Sequence, residues 1–131
     1  MTPLPGTDLA GYLRAYVTEM AFGQEEPGVV MDRYHTPDVT WHNDGVRLDR
    51  QRLIDHARPV RRTVQRCDVD VHDTLVCGDR VAARYTLHAV NRSRAVSSQV
   101  HMFGRLAPDG RLRRVDSITR PVAAPESPGP G

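Results

Sequence analysis

DRVAARYTLHAV, residues 79–90, alternates with a period of two. Val81, Ala83, Tyr85 and Leu87 fall on one face of an extended chain, and Ala82, Arg84, Thr86 and His88 on the other. Successive side chains of a strand point to opposite faces, so the pattern specifies a half-buried strand. The same period continues on both sides, in CDVDVHDTLVC (67–77), AVSSQVHMFGRL (95–106) and GRLRRVDSITRPV (110–122). CGDR and APDGR read as hairpin turns between them, and NRSR as a polar connection. Four consecutive strands on short links make an antiparallel meander.

Upstream the period changes. From Asp8 to Phe22, Leu9, Tyr12, Leu13, Tyr16, Val17 and Met20 recur at three- and four-residue steps, which describes an amphipathic helix with one buried stripe. Gly23 ends it. Pro27 opens a second short helix, PGVVMDRYH, because proline is tolerated at the first helical position. Pro37 then leads into a strand, DVTWHN, that runs into a tight turn at Asp44-Gly45. A third helix starts at Asp49 as N-cap, with Leu48 stapled against Leu53. Pro59 lies inside it, and a break is expected near Ala57-Arg58. The order of helix, helix, strand, helix and four long strands is α+β: a curved antiparallel sheet wrapped around N-terminal helices. Such a sheet encloses a pocket.

The 131 residues make one domain, expected over residues 1–122, with a disordered Pro- and Gly-rich tail, AAPESPGPG, over 123–131. Aromatic residues are only 5%, so the core should be aliphatic. All 18 basic residues are Arg, yet the net charge of +2 is far below that of a dedicated nucleic-acid binder. No stretch approaches the roughly 18 consecutive apolar residues of a membrane helix. MTPLPGTD has neither the basic nor the apolar part of a signal peptide, so a cytoplasmic location is expected. Cys67 and Cys77 bracket one strand that would span about 33 Å, whereas disulfide Cα atoms lie within about 7 Å. Unpaired thiols agree with the cytoplasmic expectation.

In these elements the chain resembles the nuclear-transport-factor-2-like superfamily, in its SnoaL-like polyketide cyclase and ketosteroid isomerase-like branch. The matching segments, in order, are YLRAYVTEMAFG, MDRYHTPDVTWHNDG, LDRQRLIDHA, GDRVAARYTLHAV and FGRLAPDGRLRRVD, within residues 8 to 121. The resemblance implies a cone-shaped fold with a pocket between the sheet and the first helices, and a homodimer through the outer sheet face. It also implies a range of roles, from isomerases, epoxide hydrolases and cyclases to members without catalysis.

The resemblance to ketosteroid isomerases places the general-base position, counted from Tyr34, on His42, and the oxyanion-holding tyrosine of the first helix on Tyr16. The isomerase has Asp where this chain has His42, a departure that bears on steroid isomerisation itself. Histidine still exchanges protons at neutral pH. Trp41 and His42 point to opposite faces of a strand, and the expectation is that Trp41 packs while His42 either enters the pocket or satisfies the turn backbone near Asn43. Asp116, mid-strand in LRRVDSITR, shares a face with Arg114 and Ile118. If that face lines the cavity, Asp116 is the acid/base partner of His42; if it is the outer face, Asp116 is a solvated or dimer-interface charge. Tyr16 is either a donor to a ligand oxygen or a core residue. Tyr12, Met20, Arg114, Ile118 and Met102 complete the expected substrate lining.

DVDVHD puts Asp68, Asp70 and His72 on one face, but Asp68 and His72 would lie about 13 Å apart along a strand. One metal ion can hardly use both, and a polar outer face is expected. The run Arg58, Arg61, Arg62 and Arg66 reads most simply as the solvated side of a kinked helix, with an anionic ligand or partner as the alternative. Neither a metal nor a cofactor is expected. The reading is an enzyme of secondary metabolism using acid/base catalysis on a hydrophobic, oxygenated small molecule, polyketide- or terpenoid-like, by cyclisation, isomerisation or epoxide opening. The alternatives are a non-catalytic small-molecule binder and a dimeric protein-interaction module.

Overall fold

The computed structural model describes residues 2–92 and 94–123. Three helices, α1 (Leu9–Phe22), α2 (Pro27–Tyr34) and α3 (Arg50–Thr63), precede or interrupt six strands. The strands are β1 (His35–Asn43), β2 (Val46–Asp49), β3 (Val64–Cys77), β4 (Arg80–Asn91), β5 (Ala95–Leu106) and β6 (Leu112–Val122). The sheet order is β2-β1-β6-β5-β4-β3. The result is an α+β cone: a curved, unclosed sheet around the helices.

The helix boundaries follow from their caps. Asp8 accepts from the Gly11 amide at 2.9 Å at the start of α1, and Asp49 from the Arg52 amide at 2.9 Å at the start of α3. Each satisfies an amide that the first turn leaves without a carbonyl. Pro27 stands at the start of α2. The expected break at Pro59 does not occur: α3 continues to Thr63. Proline removes one N–H there, while the Thr63 hydroxyl and the Val64 amide close the last turn on the Pro59 and Val60 carbonyls.

The four-strand meander β3-β4-β5-β6 is antiparallel throughout. The sheet as a whole is mixed, which corrects the all-antiparallel expectation: β1 lies parallel to β6, with Trp41 opposite Val115 and His42 opposite Asp116. A second correction is β2. VRLD returns along β1 as a short hairpin strand, through a two-residue turn in which Asp44 and Gly45 both have positive φ (53° and 81°). An Asp-Gly pair suits such a turn, since both residues tolerate the left-handed region. Four residues, mostly exposed, carry too little pattern to be read as a strand. Asp44 also clips the hairpin to β6, accepting from the amide and hydroxyl of Thr119 while its own amide donates to the Ser117 carbonyl.

The inner faces of β4 and β5 are those expected. Val81, Ala83, Tyr85, Val100 and Met102 are buried against Leu9, Tyr12 and Leu13 of α1. Gly104 is packed so closely that a Cβ would lie 2.7 Å from Leu112 and 2.9 Å from Val81. A smaller cluster of Met31, Val39 and Ile54 joins α2, β1 and α3. A shift of register beside His72 divides DVDVHD: His72 meets Thr86, while Asp70 meets His88. Cys67 and Cys77 are unpaired, and no helix among the described residues is long and apolar enough to cross a membrane. Of the tail expected over 123–131, residues 124–131 lie outside the described residues.

Candidate active site

The inside of the cone holds an aromatic cluster with a histidine at its centre. Tyr12 and Tyr16 stand one turn apart on α1 with rings stacked at 5.6 Å. Tyr34 ends α2, and His35 begins β1 immediately after it. Trp41, farther along β1, faces the same interior: it is paired with buried Val115 of β6 and packs against the core. The His35 ring sits 4.8 Å from that of Tyr16 and 5.6 Å from that of Trp41. Tyr12, Tyr34 and His35 are sealed from solvent, whereas Tyr16 and Trp41 are partly buried.

His35 is bonded on both ring nitrogens. Nδ1 lies 3.0 Å from the Met31 carbonyl, which only accepts, so Nδ1 carries the proton. That carbonyl belongs to the last turn of α2 and lacks an intrahelical partner of its own beyond the His35 amide. Nε2 therefore presents a lone pair, and the Tyr12 hydroxyl donates to it at 2.6 Å. Burial holds the imidazole neutral by driving its pKa down to about 4, against smaller opposing contributions from the Met31 bond and Asp32. Burial likewise drives the Tyr12 and Tyr16 hydroxyls well above their ordinary value, so both keep their protons at neutral pH.

Tyr16 has a weaker attachment: its hydroxyl donates to the Met31 sulfur at 3.2 Å. A thioether is a poor acceptor, so an arriving ligand oxygen would accept this hydrogen bond in its place. Around the rim, Trp41 Nε1 donates to the Ser117 hydroxyl at 3.3 Å, and Ser117 donates to the Asn43 side chain at 2.8 Å. The Tyr34 hydroxyl donates to Glu19, which also receives Arg33; Arg33 reaches Glu25 at 2.6 Å.

Of the expected site residues, Tyr12, Tyr16, Met20 and Met102 gather inside the cone or against its core. His42, Asp116, Arg114 and Ile118 do not. They share the convex face of the sheet, and the expected orientations of Trp41 and His42 are reversed. The physical reason is parity. Val39 is buried against Met31 and Ile54, and Trp41 two residues on is paired with buried Val115, which commits Trp41 inward and His42 outward. Val115 and Ser117 of β6 are likewise buried, which turns Asp116 out.

The register does bring His42 Nδ1 to 3.7 Å from Asp116, but Arg114 grips the same carboxylate at 3.0 and 3.2 Å. Arg114, with His42 adding to it, holds the Asp116 pKa below its ordinary value. Asp116 thus takes the outer-face alternative. His35 was missed by the sequence reading. Its only signal in the chain was its place directly after a helix-ending tyrosine, because the alternation of β1 is interrupted between His35 and Thr40.

The SnoaL-like domain family matches residues 13–115. An uncharacterized protein of Schizosaccharomyces pombe is 31% identical over 85 residues, 64% of this chain. The match spans about 65% of that relative's length. Among solved structures, a proposed SnoaL-like polyketide cyclase from Shewanella denitrificans superposes with a TM-score of 0.64 at 11% identity, covering 80% of this chain and 85% of that one. Wild-type IdmH, a proposed polyketide cyclase from Streptomyces antibioticus, gives 0.61 at 16% identity over 79% and 85%. A hypothetical protein of Catenulispora acidiphila with a ketosteroid isomerase-like fold, in complex with trimethylamine, gives 0.60 at 10% identity over 79% and 80%. At these identities the likeness is one of fold.

Proposed function

This chain belongs to the SnoaL-like domain family, and on that premise we propose that it is a cofactor-independent acid/base enzyme. Its substrate is a hydrophobic, oxygenated small molecule of polyketide or terpenoid kind, handled in the cytoplasm by cyclisation, isomerisation or epoxide opening. One observation carries the reading: a neutral histidine with a free-electron-pair nitrogen, bonded to a protonated tyrosine inside a dry aromatic cone. In this reading Tyr16 and Trp41 form the way in. Tyr16 turns its hydroxyl from the Met31 sulfur to the substrate oxygen and stabilises the charge that develops there. Tyr12 takes a substrate proton as it passes its own to His35 Nε2. The proton returns by the same route when the new bond is formed, so the enzyme ends as it began. Because the buried imidazolium is a strong acid, its return step is favoured.

Trp41 is the chain's single tryptophan, and it reports on the cone directly. Titration with 2-tetralone, an enolisable bicyclic ketone, should change Trp41 fluorescence to saturation. NMR in D2O should show faster exchange of the ketone's α-protons, and His35→Gln should lose about 100-fold of that acceleration or more. Binding without accelerated exchange would instead make the cone a non-catalytic binding site. Neither binding nor exchange would refute the cone as a site for such molecules.

The partner in this reading is a second copy, joined through the convex sheet face. Leu75, Phe103 and Ile118 support it, at 71%, 70% and 67% exposed. Large apolar side chains grouped on one face mark an interaction surface. Sedimentation should give a dimer for the wild type and a monomer for Phe103→Arg; a monomeric wild type at micromolar concentration would count against this interface.

A further inference from the structure

A groove of about 770 Å³ runs between α1 and the adjoining ends of β3, β4 and β5. Arg14 and Thr18 stand on its helix side, one turn apart, and two residues either side of Tyr16. On a helix a two-residue step turns the side chain by about 200°, so the groove lies on the flank of α1 opposite Trp41. None of Tyr12, Tyr16, His35 or Trp41 borders it. Its floor carries the side chains of Cys67, Val69, Ala89 and Val96, which share the inward parity of Val81 and Tyr85.

The charged residues of the same strands belong to the other face. Arg66 is paired with Asp68 at 3.3 Å, and His88 bonds Asp70 at 2.9 Å and Ser97 at 2.7 Å. The side chains of these five share the parity of the outer face and are already bonded to one another. Arg14 remains as the charge on the groove's own side. It is exposed, and it has no hydrogen bond or ion pair among the described residues.

An apolar floor of small side chains, a single free guanidinium and a hydroxyl one turn away select for one kind of molecule. We propose that this groove binds an amphipathic carboxylate: the guanidinium of Arg14 takes the carboxylate, the Thr18 hydroxyl donates to it, and the floor covers an alkyl body. The guanidinium fork matches a carboxylate better than an ammonium does. Each methylene removed from water adds to affinity. The volume falls within the range of small-molecule sites. This site goes beyond the acid/base reading and stands without it.

The probes are octanoate, octan-1-ol and octylammonium, titrated calorimetrically into the full chain at low salt. Octanoate should bind more tightly than octan-1-ol by about fivefold to tenfold, and octylammonium more weakly than either. Arg14→Gln, on an exposed helix position that glutamine suits, should remove the preference for octanoate while leaving octan-1-ol binding unchanged. Octanoate should leave the Trp41 response to 2-tetralone in place. The proposal is overturned if octanoate and octan-1-ol bind the wild type equally, if Arg14→Gln has no effect, or if nothing binds up to millimolar concentration. Mutual exclusion of octanoate and 2-tetralone would also overturn it, because it would place octanoate in the cone.

Discussion

Lowering the pH from 7 to 4 should destabilise the protein by about 3 kcal/mol through His35 alone. An unfolded imidazole takes up its proton near pH 6.5, whereas the buried one resists until about 4. The unfolded chain therefore binds more protons throughout that interval, and acid draws the equilibrium toward it. Full stability is present above 6.5, it is lost progressively as the pH falls toward 4, and the loss levels off below. At about 1.4 kcal/mol for each tenfold in proton affinity, the gap is worth about 3 kcal/mol. For a domain of this size that corresponds to a fall in Tm of roughly 10 °C. The carboxylates of Asp44, Asp109 and Asp116 are held below their ordinary value, so what they contribute is lost only at still lower pH. Urea unfolding across the interval checks the assignment. His35→Gln should flatten the dependence between pH 6.5 and 4; a curve parallel to wild type would show that another group titrates there.

Tyr12→Ala should cost about 3–5 kcal/mol, the upper end for removal of a buried aromatic ring. Tyr12 is fully buried, and its ring touches those of Tyr16, Tyr34 and His35. No solvent reaches the space it would leave, and the surrounding rings are anchored on three different elements. Tyr12→Phe tests the other half of its role. Packing is retained, but Nε2 of His35 is left buried without a donor, which should cost about 1–3 kcal/mol. The two partners share one bond, so Tyr12→Phe combined with His35→Phe should cost less than the sum of the single changes. Denaturant midpoints decide it. A cost below about 1 kcal/mol for Tyr12→Ala would mean that the cone interior collapses around the gap rather than holding its shape.

Both predictions rest on a residue that pattern alone did not single out. His35 follows α2 directly, where it could serve as a cap, a surface residue or a core group. Its neighbours along the chain are Tyr34 and Thr36, which do not reveal that Tyr12 and Tyr16 arrive from α1. His42 drew attention instead because it lies beside the only tryptophan and at the position that the isomerase resemblance indicated. That counting was sound along the chain, but it could not decide which way the side chain points.

Sequence by itself determined the elements and several of their faces. The period of two in residues 67–122 specified four antiparallel strands, and Asp8, Gly23, Pro27 and Asp49 marked helix ends close to where they fall. In β4 and β5 the contrast between apolar and polar faces was strong enough to decide which face is buried. In β1 and β6 it was not, because HTPDVTWHN and LRRVDSITRPV mix both kinds of residue on both faces. There only the tertiary structure decided. Burial of Val39 against α2 and α3 sets the parity of the second half of β1, and parallel pairing with β6 places His42 beside Asp116 on the convex face. The neutrality of His35 has the same origin: it is the cost of charging an imidazole in a place that residues far apart in sequence have emptied of water.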